Sequence, residues 1–92
     1  MIGSGKDKGV EKFFYMGSKG GINAKQAKKV RLILGLLDSA SVVEDLDAPG
    51  LKLHRLKGAR KQDYAVTVNG NWRVTFQFQE GNAYVTHYED YH

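Results

Sequence analysis

The clearest pattern of hydrophobic and polar positions lies in the last third of the chain. From Trp72, large apolar residues alternate with polar ones through Gln79, which is the period of a β-strand with one buried face. Glu80-Gly81-Asn82 predicts a single turn, after which the chain runs back toward His92. The pattern leaves the buried face of this last strand open, because two alternating sets are similarly apolar. One set is Tyr84, Thr86 and Tyr88, and the other is Ala83, Val85 and His87.

A second alternating segment precedes this strand, and the Asn69-Gly70-Asn71 sequence between the two is a strong hairpin signal. A three-residue loop sets Val66 opposite Val74. It also sets Val68 opposite Trp72, so that apolar residues share one face. A two-residue loop would mix apolar and charged residues on that face. The sequence therefore predicts the longer loop, with a glycine-associated bulge.

Two helices are expected in the first half of the chain. Asp7 can cap the first, which runs to about Met16. The second begins at Asn23, which forms an Asn variant of the capping box with Gln26 three positions on. The apolar residues of the second helix recur with the spacing of one buried helix face. They are Ala27, Val30, Ile33, Leu34 and Leu37.

The remaining segments complete an α+β fold. Met1 to Gly5 is a candidate edge strand, and the chain is β from Leu51 onward. We therefore expect two N-terminal helices packed on one face of a curved antiparallel sheet of about four strands, in one domain spanning residues 1–92. Leu32 and Leu36 lie off the helical stripe, where they either widen the buried face or remain exposed as a docking site for a partner.

The formal net charge of +4 is unevenly distributed. Basic clusters attract phosphate backbones and release counterions on contact. A positive net charge together with two such clusters favours a surface that binds a polyanionic partner over an ordinary solvated surface. The first cluster is Lys25, Lys28, Lys29 and Arg31, and the second is Lys52, Arg55, Lys57, Arg60 and Lys61.

Composition excludes several classes of protein. The absence of cysteine rules out disulfides, a thiol nucleophile and a cysteine zinc site. No apolar run approaches the ~18 residues of a membrane span, and the N-terminus lacks the apolar region of a signal peptide. We expect a cytoplasmic protein that contacts no membrane. His54, His92 and Asp90 are conceivable metal ligands, but their spacing matches no diagnostic motif, so no metal or other cofactor is expected.

Four segments of the second half of the chain form an ordered set. They are Leu53-His54-Arg55-Leu56-Lys57-Gly58, Val68-Asn69-Gly70-Asn71-Trp72-Arg73-Val74-Thr75-Phe76, Gly81-Asn82-Ala83-Tyr84 and Tyr88-Glu89-Asp90-Tyr91-His92. Together with the early segment Gly9-Val10-Glu11-Lys12-Phe13-Phe14, they resemble a HigB-type toxin of the RelE superfamily over nearly the whole chain.

This resemblance implies a fold like that of the compact microbial ribonucleases. It also implies an endonuclease that enters the A site of the 70S ribosome and cuts messenger RNA. The implied partner is a HigA-type helix-turn-helix antitoxin, which silences the toxin and represses the operon. Operator DNA would be contacted only through that antitoxin.

The chemistry implied by the resemblance needs no metal. The RNA 2′-hydroxyl attacks the adjacent phosphate, which requires a proton acceptor and a proton donor, and histidine serves both roles near neutral pH. By resemblance, His92 is the leading acid/base candidate. His54 is a second acid/base group or a phosphate contact, and Asp90 would orient and tune His92.

The same resemblance assigns the groups that hold the substrate. Arg73 and Lys57 would bind the scissile phosphate and stabilise its growing charge, and Tyr91 would stack on a base or donate a hydrogen bond. We expect His92, Arg73 and Lys57 to surround one phosphate-sized hollow. The remaining basic residues would track ribosomal RNA. They are Lys25, Lys28, Lys29, Lys52, Arg55, Arg60 and Lys61.

Each assignment has a structural alternative. His54 could be a surface histidine, Arg73 an ion-pair partner of Asp90, and Lys57 simple loop charge. His87 matches no motif position and is interpreted as structural. Two other functions stay open: a non-catalytic RNA- or ribosome-binding module with the same basic face, and an interaction module for an antitoxin or repressor.

The chain departs from the family pattern in the basic loop. Ala59 stands where an Asp or Asn commonly follows Lys-Gly, and Gln62-Asp63-Tyr64 replaces a Gly-aromatic-aromatic run. These differences predict altered loop geometry, antitoxin contacts or base contacts.

Overall fold

The computed structural model describes residues 2–3, 8–17 and 20–91. Helices α1 (Lys8–Met16) and α2 (Ala27–Ser39) precede strands β1 (His54–Arg55), β2 (Tyr64–Asn69), β3 (Trp72–Gln79) and β4 (Asn82–Asp90). The strands form one antiparallel sheet in the order β1-β2-β3-β4. The predicted α+β architecture is therefore confirmed. Within the described residues, no helix has the length and apolar character needed to cross a membrane.

The core lies between the helices and one face of the sheet. Strand residues Val66, Val74 and Phe76 join one buried apolar cluster with α2, and burying a side chain of this size stabilises the fold by about 1.5–3 kcal/mol. Leu36 packs against this cluster and widens the buried face, whereas Leu32 is 58% exposed. The predicted stripe of α2 is buried throughout: Ala27, Val30, Ile33, Leu34 and Leu37.

The first helix ends where the sequence predicts. Gly17 follows Met16 with a φ of +70°, and its N–H donates to the carbonyl of Phe13 at 3.1 Å, as in a left-handed helix cap. Asp7, the predicted N-terminal cap, lies outside the described residues.

Only part of the predicted edge strand at Met1 to Gly5 falls within the described residues. Ile2 forms an isolated parallel bridge with Ala83 of β4. The N–H of Gly3 donates to the Ala83 carbonyl at 2.8 Å. This segment therefore pairs with the free edge of β4.

A tyrosine from the sheet completes the start of the second helix. Asn23 precedes a 3₁₀ turn (Ala24–Gln26) that leads into α2, and its side chain accepts a hydrogen bond from the N–H of Lys25 at 3.0 Å. The N–H of Asn23 donates to the Tyr88 hydroxyl at 3.2 Å, and that hydroxyl donates to the Gln26 side chain. The predicted return bond from Gln26 to Asn23 is wrong, because Tyr88 stands between them.

The hairpin between β2 and β3 has the predicted bulge but a different position for the extra residue. Val66 lies opposite Val74 as predicted. Asn69 rather than Val68 lies opposite Trp72, so the predicted Val68–Trp72 pair is wrong. The extra residue is accommodated inside the strand at Val68, which is buried, and not in the turn.

A second bulge resolves the open register of β4. Val85 lies opposite Phe76, and His87 lies opposite Thr75. Thr86 is therefore an extra residue, and it shifts the alternation by one position. Ala83 and Val85 of one predicted set face the helices before the bulge, and Tyr88 of the other set faces them after it. As a result, His87 lies on the face of the sheet away from the helices.

Candidate active site on the open face of the sheet

The face of the sheet turned away from the helices, here the open face, carries the candidate site. His54 and Arg73 both lie there, as the alternation predicts. Strand register arranges the side chains of this face in two rows. The first row is His54, Ala65, Thr75 and His87, and the second is Thr67, Arg73 and Glu89.

The guanidinium of Arg73 is held along one edge by Glu89 and over one face by Tyr91. Its Nη2 lies 2.6 Å from Oε2 of Glu89, and its Nε donates to the same oxygen at 2.7 Å. Its guanidinium carbon lies 4.2 Å from the centre of the Tyr91 ring, within the range of a cation–π contact. The carboxylate partner is Glu89, because Glu89 lies opposite Arg73 while Asp90 lies opposite Trp72.

Arg60 anchors the basic loop to the open face. It ends a 3₁₀ turn (Gly58–Arg60), and its Nη1 donates to both carboxylate oxygens of Glu89, at 2.9 and 3.2 Å. Its Nη2 donates to Thr75 Oγ1 at 3.0 Å and contacts His87 Nδ1 at 2.9 Å. This side chain, predicted to track RNA, therefore ties the loop to β3 and β4.

Asp63 fastens the other end of the loop. It accepts hydrogen bonds from Gln77 Nε2 at 2.9 Å and Thr86 Oγ1 at 2.8 Å, and it is 4% exposed. Burial alone would raise the pKa of Asp63. The hydrogen bonds from Gln77 and Thr86 and the nearby charge of Arg60 outweigh burial, so the pKa lies below its ordinary value of 3.8. Asp63 is thus a structural anchor of the loop.

The pKa of Glu89 is also lowered by its partners. Burial would raise the pKa of Glu89, but hydrogen bonds from Arg60 and Arg73, and the charges of both, lower it below 4.5. The two arginines therefore face two carboxylates, Glu89 and Asp63. The centre of the open face is a balanced ion network, and its excess positive charge lies at the rim.

The rim carries the other predicted cations of the second cluster. Lys57 is exposed where the loop begins, and His54 is exposed on β1 with its Nδ1 2.9 Å from the carbonyl of Lys52. The Nε of Arg55 donates to the carbonyl of Lys61 at 2.7 Å. His54 lies on the same face of the sheet as Arg73, whereas Arg55 lies opposite Tyr64 and alternates to the other face.

The first basic cluster is separate from this site. Lys25 lies in the 3₁₀ turn before α2, and Lys28 and Lys29 lie in the first turn of α2 itself. They therefore belong to the helical layer, which covers the opposite face of the sheet.

The last three predicted site residues are Asp90, Tyr91 and His92. Asp90 ends β4, and Tyr91 is 43% exposed beside Arg73. His92 lies outside the described residues. Within residues 2–3, 8–17 and 20–91, no group of three or more His, Asp or Glu side chains has the arrangement of a metal site.

His87 is the functional candidate that the sequence pattern does not identify. Its ring lines an open hollow of about 300 Å³ next to Arg60. The period-2 pattern leaves its face undecided, and no residue type marks the bulge at Thr86 that turns it toward the loop. The other lining residues are Ala59, Lys61, Gln62, Asp63 and Gln77.

Two comparisons with known proteins bear on the family of this chain. The family model described as HigB-like toxin, a RelE-like toxin of the type II toxin–antitoxin system HigB, matches residues 4–92. The protein named Endoribonuclease HigB from Proteus vulgaris is 41% identical over 92 residues, which is the full length of both chains.

Proposed function

The chain belongs to the HigB-like toxins, the RelE-like toxins of type II toxin–antitoxin systems, and from this membership we propose that it is a ribosome-dependent endoribonuclease that cuts messenger RNA in the A site. The observation that supports this activity best is the fixed guanidinium of Arg73 beside Tyr91. It lies at the end of the sheet where the chain leads into the acid–base candidates Asp90 and His92. In this proposal the whole of residues 1–92 acts as one toxin domain.

The proposed reaction is a transesterification without a metal ion. The 2′-oxygen of one nucleotide forms a bond to the adjacent phosphorus, and the bond from phosphorus to the 5′-oxygen of the next nucleotide breaks. The products are a 2′,3′-cyclic phosphate and a free 5′-hydroxyl. His92 and His54 are the candidates for removing the proton from the nucleophile and supplying one to the leaving oxygen, and Asp90 would orient His92.

Arg73 and Lys57 would stabilise the charge that develops on the phosphate. Glu89 and the Tyr91 ring restrain the guanidinium on two sides, so little conformational freedom is lost when it meets its substrate. Lys57 is exposed at the start of the loop, where it can approach the same phosphate from the rim. The exposed basic side chains of Lys52, Arg55 and Lys61 would follow the RNA backbone. The affinity of the protein for RNA would therefore fall as the salt concentration rises.

The proposed partners follow from the family. An antitoxin partner is implied by the type II system, and we expect one of the HigA type with a helix-turn-helix domain. That antitoxin would connect the toxin to operator DNA, which the toxin itself would not contact.

A growth and cleavage assay tests the proposed function. Induced expression should arrest growth, and ribosomes programmed with a labelled message should yield A-site fragments that end in a 2′,3′-cyclic phosphate, the product of attack by the 2′-hydroxyl. His92→Ala should relieve arrest while its unfolding curve matches the wild type. Purified transcript without ribosomes should be cut only slowly, because no long loop among the described residues encloses a single strand. Intact message on ribosomes in the presence of the wild-type protein would contradict the proposal.

The balanced charges of the open face favour one second candidate, a non-catalytic RNA- or ribosome-binding module. Both central arginines are already paired with carboxylates, as expected for a structural network. The same assay separates the two functions, because a binding module would protect the message and leave no cyclic phosphate.

A further inference from the structure

The imidazole of His87 is held in one tautomer by Arg60. The guanidinium nitrogen Nη2 of Arg60 can only donate hydrogen bonds, and it lies 2.9 Å from Nδ1 of His87. Nδ1 must therefore be the acceptor in this contact, and the proton of the neutral ring is assigned to Nε2. His87 thus presents an N–H donor on the side of the ring away from Arg60.

That donor has no hydrogen-bond partner among the residues that the structure describes. His87 is exposed and lines the hollow defined above, with Lys61 and Gln62 on the loop side. Asp63 is the acid among the lining residues, and its two oxygens already accept hydrogen bonds from Gln77 and Thr86. The groups left to meet a ligand include the Nε2–H of His87 and the ammonium of Lys61, which together favour an acceptor oxygen with negative charge.

The hollow is linked to Arg73 of the candidate active site by a chain of side-chain contacts. His87 contacts Arg60, Arg60 contacts Glu89, and Glu89 contacts Arg73. The Cα atoms of His87 and Glu89, two positions apart on one face of β4, are separated by roughly 7 Å, and Arg73 lies opposite Glu89 on the neighbouring strand. This distance is comparable with the spacing of successive phosphates along an RNA strand.

We propose that His87 binds a phosphate of the RNA adjacent to the phosphate at Arg73, through its Nε2–H and with Lys61 supplying charge. The site rests on the proposed RNA substrate and adds a binding residue to it. Because His87 would contact a non-reacting phosphate, it should contribute to affinity and not to the chemical step.

Two substitutions at His87 separate the proposed role from a structural one. The amide nitrogen of His87→Gln reaches the position of Nε2 and can keep the outward donor. The shorter side chain of His87→Asn can keep a contact with Arg60 near the position of Nδ1 but does not reach the hollow. Since the ring is exposed, both variants should melt at the wild-type temperature.

The measurement is binding to ribosomes programmed with a message whose A-site codon carries 2′-O-methyl groups, which remove the nucleophile. We expect His87→Asn to raise Kd by roughly threefold to tenfold, as for loss of one typical hydrogen bond at an exposed position, and His87→Gln to bind nearly as the wild type does. With cleavable message, His87→Asn should raise KM and leave kcat unchanged. A methylphosphonate at the flanking phosphate should remove the difference between the wild type and His87→Asn.

Three outcomes would overturn the proposal. If both variants bind as tightly as the wild type, His87 does not contact RNA. If His87→Gln is the weaker binder, the ring acts only by positioning Arg60. If the defect of His87→Asn follows the identity of the base and persists with the methylphosphonate, the ligand is a base. If the wild type binds the ribosome without cutting its message, the proposed endonuclease fails, while the binding comparison still decides the site.

Discussion

Arg73 and Glu89 face each other across the β3–β4 pairing, with Nη2 of the arginine 2.6 Å from Oε2 of the glutamate. The same carboxylate accepts two hydrogen bonds from Arg60. One acid therefore holds an arginine of the central strand and an arginine of the basic loop. This arrangement couples the position of a proposed catalytic cation to the anchoring of the loop.

Removing the charge of Glu89 should both destabilise the protein and loosen the site. Glu89→Gln leaves two arginines without their shared counterion in a partly buried setting. We expect the free energy of unfolding to fall by about 1–3 kcal/mol, below the range for a fully buried pair because solvent screens this one. Urea denaturation measures the effect.

Glu44→Gln is the matched control for this substitution. It makes the same chemical change at an exposed position in the 3₁₀ turn Val43–Leu46, and it should shift stability by less than about 0.5 kcal/mol. Equal stability of the two variants would mean that the ion network contributes nothing measurable.

The lowered pKa values of Asp63 and Glu89 predict a loss of stability in acid. Because each carboxyl binds its proton more weakly in the folded state, the unfolded chain takes up more protons as the pH falls. The contribution of these two groups is therefore fully present above their ordinary values of 3.8 and 4.5 and is lost as the pH falls through the lower, folded-state values. Urea unfolding at a series of pH values should show this decline.

Asp63→Asn tests the origin of that pH dependence. The variant lacks one of the two shifted carboxyls, so its stability should fall less steeply with acid than that of the wild type. Parallel pH profiles for the two proteins would contradict the assignment to Asp63.

Much of the fold could be predicted because local patterns and packing agree. The α2 stripe has a single helical period, and the structure buries all of it. Trp72 to Gln79 has a strict period of two, and it forms β3 with those limits. The Val66–Val74 pair followed from keeping apolar residues on one face, and it is present.

The features that local patterns missed depend on contacts between distant segments. The Thr86 bulge is coupled to the loop through the Thr86–Asp63 hydrogen bond, so neither segment reveals it alone. The predicted capping box is absent for the same reason. The hydroxyl of Tyr88, 62 positions beyond Gln26, forms the hydrogen bond to the Gln26 side chain. An ion pair with Asp90 is the structural alternative that the sequence offers for Arg73, but the acid that Arg73 meets is Glu89, because the bulge sets the register.

The hydroxyl of Tyr88 should stabilise the junction between the sheet and α2. Tyr88→Phe keeps the ring, whose centre is 4.8 Å from that of Trp72, and removes the hydroxyl that bonds both Asn23 and Gln26. Since Gln26 is buried, its oxygen loses a partner that water does not easily replace. We expect a loss of about 1–2 kcal/mol in the free energy of unfolding and faster amide exchange at Asn23.

Tyr64→Phe provides the comparison for this effect. Its ring also packs against the core, at 6.0 Å from Phe76, but its hydroxyl has no hydrogen-bond partner among the residues that the structure describes. This variant should unfold within about 0.5 kcal/mol of the wild type. A Tyr88→Phe protein that is equally stable would show that the bridge is not needed to hold the helix.

The Tyr91 ring should support catalysis mainly by holding Arg73. A cation–π contact at a partly exposed site is worth about 0.5–1 kcal/mol. Tyr91→Ala should therefore lower single-turnover cleavage on programmed ribosomes by at least roughly twofold to fivefold. Tyr91→Phe keeps the face of the ring under the guanidinium, so it should retain most of the rate. If Tyr91→Phe instead loses as much as Tyr91→Ala, the hydroxyl is the active group, and Tyr91 acts as a hydrogen-bond donor to the substrate.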